Sequence, residues 1–167
     1  MSDVVEMPLT YRDWTIRMAK DLRRSIDYLE ARDDIDSERI GYYGYSFGSL
    51  LGPIMLAVED RIDTGIFVHG GIPPIDLPRS FDVALYAQRV TVPVLMVNGA
   101  EDVLAPVKTC QIPMYKLLKR ANGGTERRLY PGDHGAFGLF YEQIRGDVLG
   151  WLDEHLGPVN GKNSDMK

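Results

Sequence analysis

Trp14, Met18, Leu22, Ile26 and Leu29 recur three or four positions apart, with Arg, Lys and Asp between them. That period puts them on one face of a helix and predicts one from about Tyr11 to Arg32. Asp33, Asp34 and Asp36 end the pattern, and the first ten residues, which lack it, are expected to be loose. Arg39–Tyr45 (RIGYYGY) reads as a short strand. Ser46 to about Val58 reads as a second helix, with Leu50, Leu51, Ile54 and Leu56 as core candidates. Pro53 is placed near its first turn, where a missing N–H is tolerated. Residues 64–69 (TGIFVH) form another apolar run closed by Gly70 and Gly71, and the proline-rich 72–80 forms a loop. A short helix is expected near 80–89. Residues 91–98 (TVPVLMVN) are apolar almost without alternation, the mark of a strand buried on both faces. Residues 106–120 look helical, interrupted by Pro113; 125–130 (TERRLY) make a fourth strand after the turn Asn122–Gly124. A last helix is predicted from about Phe137 to Leu156, with Phe140, Ile144, Val148, Leu149 and Leu152 on one face, before a polar, frayed tail.

A helix followed by strands alternating with helices predicts an α/β fold: about four parallel strands with helices on both faces. Residues 1–167 form one domain, loose at 1–10 and 158–167, with no internal repeat and no dividing linker.

Composition adds mainly exclusions. Apolar residues are 44% and charged residues 26%, enough apolar material for a core. With 19 basic and 24 acidic residues the net charge is −5, which disfavours a nucleic-acid partner. No stretch approaches the ~18 apolar residues of a membrane span, and the N-terminus lacks the basic-then-apolar form of a signal peptide. The single cysteine, Cys110, precludes an internal disulfide and fits a cytoplasmic location. Three histidines and one cysteine disfavour a structural zinc site, and no cofactor motif or metal site is expected.

The sharpest chemical signal is Gly44-Tyr45-Ser46-Phe47-Gly48, where the first strand meets the second helix. G-x-S-x-G in that setting describes a nucleophile elbow, a strained turn that lifts a serine hydroxyl clear of the sheet. Side chains at 44 and 48 are expected to collide with neighbouring backbone, hence glycine at both. The N–H of Phe47, at the helix N-terminus, is one expected oxyanion donor; the second is unassigned. A serine nucleophile needs a base, and the base an orienting carboxylate. His134, in GDHGAFG after the fourth strand, is the candidate base. His155 reads as a cation near a helix C-terminus. Asp102, following the strand that ends at Asn98, is the candidate acid, with Glu101 its local rival and Asp133 a weaker one. His69-Gly70-Gly71 mimics an oxyanion-loop motif but falls after the elbow, so it reads as a strand-ending turn. Cys110, with no elbow or histidine framing it, reads as a small buried hydrophobe.

DLRRSIDYLEARDDIDSERIGYYGYSFGS, VTVPVLMVNGAEDVLAP and YPGDHGAF together resemble the α/β-hydrolase superfamily, in particular its dienelactone hydrolase, acetyl xylan esterase and prolyl oligopeptidase-like group. The first resembles that group's helix–strand–elbow segment, the second its acid-bearing strand and loop, the third its histidine loop. The resemblance covers nearly all of 11–157 and implies Ser46, Asp102 and His134 as a catalytic triad. It departs at the front, where the group has several strands ahead of the elbow helix and this chain has about ten residues, as a fragment or a minimal version. The elbow strand is therefore expected at a sheet edge, which invites pairing with another chain: a homo-oligomer, in the first place a dimer.

The expected activity is hydrolysis of short-chain acyl esters through an acyl-enzyme, the substrate being a small-molecule ester. Only about twenty residues, Gly71 to Val90, separate the second and third strands, leaving little room for a large lid. The alternatives are a hydrolase fragment acting as an interaction module, and a peptidase, lactonase or thioesterase using the same three residues.

Overall fold

The computed structural model describes residues 3–75, 77–122 and 124–158; the tail expected to fray lies, from residue 159 on, outside the described residues. Strands β1 (Gly41–Tyr45), β2 (Thr64–Val68), β3 (Val94–Gly99) and β4 (Glu126–Tyr130) form one sheet in the order β1-β2-β3-β4, every neighbouring pair parallel. β2 and β3 are central and buried at every position, which is why they carry apolar residues without alternation. β1 and β4 lie at the edges and expose part of their length.

Among the described residues six α-helices complete the α/β fold: α1 (Asp3–Glu30), α2 (Phe47–Val58), α3 (Val83–Ala87), α4 (Ile112–Asn122), α5 (Ala136–Leu139) and α6 (Tyr141–Leu156). Side chains alternate across a strand, so each face of the sheet has its own core. Phe67 and Met96 point to one face, where they meet Ile26 of α1, Leu56 of α2, and Met114 and Leu118 of α4. Ile66, Val68, Leu95 and Val97 point to the other, where Ile144 and Trp151 of α6 cover them. The Trp151 indole N–H donates to Thr64 Oγ1 at 2.7 Å, so burying its polar edge leaves no unpaired donor.

Several local expectations need correction. α1 runs back to Asp3 through a stretch expected to be loose, with Pro8 inside it. Trp14, placed by its period on the core face, is 48% exposed and lies against Phe47, ring centroids 5.7 Å apart. Pro53 is the seventh residue of α2 rather than part of its first turn, so the carbonyl of Ser49 loses its usual donor there. The helix expected over 106–120 opens with a wide turn, Val107–Gln111, closed by Ile112 N–H donating to Val107 O five residues back, before α4 begins. Pro113 follows that closure and has no N–H of its own to give. The last helix is two, α5 and α6, separated at Phe140, whose backbone leaves the helical region (φ −116°, ψ 27°). Its ring packs against Tyr130, centroids 5.6 Å apart. Leu149, expected on the core face, is exposed.

Candidate active site

β1 runs directly into α2, and Ser46 occupies the turn with φ 50° and ψ −106°, a conformation that L residues rarely adopt. The turn is over-determined by its surroundings. Ser46 N–H donates to Val68 O at 2.8 Å, and Ser49 Oγ bridges Gly44 O and Val68 O at 2.9 Å each. The Tyr42 hydroxyl donates to Gly48 O at 2.7 Å; burial pushes that phenol up to about 12, so it stays a donor. A Cβ at Gly44 would lie 2.5 Å from the Gly48 carbonyl carbon, so the closeness of strand to helix demands glycine there. Gly48 is different: a Cβ would meet only the Tyr42 hydroxyl, at 3.9 Å. The steric requirement expected at both glycines holds at one.

Asp102 sits just beyond β3 and is buried. Its Oδ1 accepts the N–H groups of Leu104 and Ala105, both at 2.9 Å, which closes the loop on itself. Its Oδ2 accepts from Nδ1 of His134 at 2.8 Å. His134 comes from the loop after β4, and that loop is stitched to the acid loop by backbone bonds: Ala100 N–H to Tyr130 O at 2.8 Å and Glu101 N–H to Gly132 O at 2.9 Å. A Cβ at Gly99 would fall 2.2 Å from Asp133 O, so the two loops can touch only with glycine at that point. The other ring nitrogen of His134, Nε2, lies 2.8 Å from Ser46 Oγ.

Ser46, His134 and Asp102 thus come together from three loops at the C-terminal ends of the parallel strands. With the proton on Nδ1, His134 donates to Asp102 and accepts the serine hydroxyl at Nε2, the arrangement that readies a hydroxyl for attack on a carbonyl. Phe47 opens α2 beside the serine, and a first-turn N–H has no partner within its own helix. A cleft of about 190 Å³ opens over Ser46, with apolar walls from Leu50, Pro73, Leu104 and Cys110.

The rival residues lie elsewhere. Glu101 is exposed, its carboxylate accepting the Gly132 N–H, and exposed Asp133 accepts from Gly135 N–H at 2.7 Å. His155 lies in the last turn of α6 with its ring against Trp151, centroids 4.0 Å apart. Cys110 is buried and faces the cleft.

His69 departs most from its sequence reading. Taken there as part of a plain strand-ending turn, it is buried in the site, with Nδ1 3.7 Å from Asp102 Oδ2 and its ring 5.0 Å from that of His134. Burial, and then the neighbouring His134, hold its pKa below the ordinary histidine value, against the pull of Asp102. His69, Asp102 and His134 each offer one donor atom, all within 4.8 Å of one another, a two-nitrogen, one-carboxylate set suited to zinc. An ion taking Nδ1 of His134 would have to replace its bond to Asp102, so metal binding there and an intact Ser46–His134–Asp102 chain are alternatives.

The sequence model of the dienelactone hydrolase family matches residues 6–145. No curated protein matches the chain by sequence. Among solved structures, a cold-adapted esterase from an Arctic intertidal metagenomic library superposes with a TM-score of 0.70 at 23% identity, covering 85% of this chain and 59% of the esterase. An esterase of Pyrococcus furiosus superposes with a TM-score of 0.68 at 21% identity, over 82% of this chain and 61% of that one. An acylaminoacyl peptidase of Pyrococcus horikoshii does so with a TM-score of 0.62 at 22% identity, over 81% and 27%. At these identities the likeness establishes the fold. The chain spans about three-fifths of the length of the two esterases.

Proposed function

We propose, from the premise that this chain belongs to the dienelactone hydrolase family, that it is a serine carboxylesterase acting on short-chain acyl esters. The observation that carries this reading is the unbroken chain of contacts from Ser46 Oγ through His134 to Asp102, 2.8 Å at each link. Ser46 attacks the ester carbonyl as Nε2 of His134 takes its proton, and Asp102 holds the ring in the Nδ1–H tautomer and stabilises the imidazolium. The tetrahedral oxyanion forms beside the Phe47 N–H. His134 returns its proton to the departing alkoxide, leaving an acyl-serine. Water, deprotonated by the same nitrogen, then releases the acid and restores Ser46. The cleft supports a short acyl group: about 190 Å³ is below the ~300–1,000 Å³ of pockets for drug-sized ligands.

Hydrolysis of p-nitrophenyl esters from acetate to octanoate, with Ser46→Ala beside the unchanged chain, tests this. The expected outcome is turnover favouring acetate and butyrate, reduced at least about 10³-fold in the variant. Equal rates for the two proteins would overturn the assignment. Preference for octanoate would overturn the short-acyl part alone.

The partner that fits the edge strand is a second copy of this chain. Ile40 O and Ser46 N–H both face β2; by alternation Gly41 and Tyr43 turn their backbone groups outward. The strand GYYGY has no charge, proline or bulge to deter pairing.

A further inference from the structure

His69 is the group in the site that the proposed reaction leaves without a task. Its backbone is left-handed, φ 55°; among the described residues only Ser46 and His69 are non-glycine residues with positive φ. Its side chain is buried, and neither ring nitrogen has a hydrogen-bond partner. Each condition is unfavourable by itself. An apolar side chain would fill the same space without burying two unpaired nitrogens, so packing alone does not account for a histidine here.

The carboxylate of Asp102 supplies the account. An ionised carboxylate offers about four acceptor sites. Two on Oδ1 are taken by Leu104 and Ala105 N–H, and one on Oδ2 by His134. The remaining site is on Oδ2, and the nearby unpartnered nitrogen is His69 Nδ1 at 3.7 Å, about half an ångström beyond hydrogen-bond range. Catalytic hydrogen bonds are commonly long before substrate binds and tighten when it does.

We infer that His69 is a positioning residue, a neutral Nδ1–H tautomer that closes onto Oδ2 of Asp102 and completes the carboxylate's shell when the site is engaged. This rests on the proposed Ser46–His134–Asp102 chemistry. The fourth donor fixes the carboxylate against rotation. It also draws charge from the oxygen that His134 uses, so removing the donor strengthens that oxygen's hold on the Nδ1 proton. The groups facing this pair are Asp102 and His134 themselves, Asp133 from the histidine loop, Tyr45 of β1 with its ring 5.5 Å from His69, and Cys110 across the cleft. Burial holds the His69 pKa below the ordinary histidine value, which favours the neutral ring.

The test compares the unchanged chain with His69→Asn and His69→Leu. The asparagine amide can place an N–H where Nδ1–H stood, and asparagine accepts a left-handed backbone; leucine removes the donor. The acid limb of kcat/KM for p-nitrophenyl acetate is expected to move up by about one pH unit in His69→Leu and to stay within about 0.3 pH unit in His69→Asn. The NMR titration of the His134 ring should move in parallel. Superimposable profiles, or an Asn variant displaced as far as the Leu variant, would overturn the inference. Should His69→Leu not fold, the ¹⁵N shifts of His69 in the unchanged chain decide: a protonated Nδ1 supports the role, and a proton on Nε2 instead rejects it. A displaced His134 titration without Ser46-dependent hydrolysis would reject the esterase reading and leave this inference standing; hydrolysis with an unmoved titration would do the reverse.

Discussion

Gly44 and Gly48 carry the same letter in one motif and have different physical reasons. At Gly44 a methyl group would press on backbone at 2.5–2.7 Å, which no rotamer change relieves. At Gly48, inside the first turn of α2, there is room. Gly44→Ala is therefore expected to lower the thermal midpoint sharply and abolish ester hydrolysis. Gly48→Ala should leave the midpoint unchanged or raise it, since alanine is favoured over glycine within a helix by about 0.5–1 kcal/mol. Thermal melts of the two variants check this; a Gly48→Ala protein as unstable as Gly44→Ala would refute the steric distinction. The three residues proposed for the chemistry were already candidates in the sequence, because in this fold strand-end loops present a serine, an acid and a histidine in that order. His69 was not. Its role depends on a distance to Asp102, 33 positions away, that no local pattern encodes; a histidine directly after a buried strand was the only signal.

At the scale of elements, one charged cluster ties α1 to the loop between α2 and β2. Arg61 donates to Glu59 at 2.8 and 2.7 Å, to Asp27 at 2.8 Å and to Glu30 at 2.6 Å, and Arg23 lies 3.5 Å from Glu59. Glu59 is buried, and the Arg61 guanidinium, before the Arg61 backbone N–H and Arg23, holds its carboxyl below the usual 4.5. A carboxyl lowered in the folded state contributes stability above its unfolded pKa and loses that contribution as pH falls through the folded one. Urea unfolding should therefore show the unchanged chain losing more stability between pH 7 and pH 3 than Arg61→Ala, which is already weakened at pH 7. Equal losses would show that the cluster carries no linkage. Element boundaries were less legible than element types. The break at Phe140 and the wide turn at Val107–Gln111 satisfy tertiary contacts, Phe140 on Tyr130 and Cys110 beneath the cleft, and leave no trace in the apolar period.

For the molecule as a whole, the sheet order puts the elbow strand at an edge, with Tyr43 48% exposed. Sedimentation equilibrium is expected to give twice the single-chain mass, and Tyr43→Lys, a charge on the pairing edge, to shift it toward one; a single-chain mass for the unchanged protein would reject self-association. The sequence by itself determined the fold class, the strand and helix order, the elbow, and the serine and histidine proposed for the chemistry. Those follow from local periodicity, glycine at forced turns and the order in which parallel strands present their ends. Only the tertiary structure decided which carboxylate of the acid loop meets the histidine, which glycine is sterically required, where Trp14 and His69 lie, and how small the cleft is. Those depend on distances between segments far apart in the chain, set by how the layers pack, to which the pattern along the chain is blind.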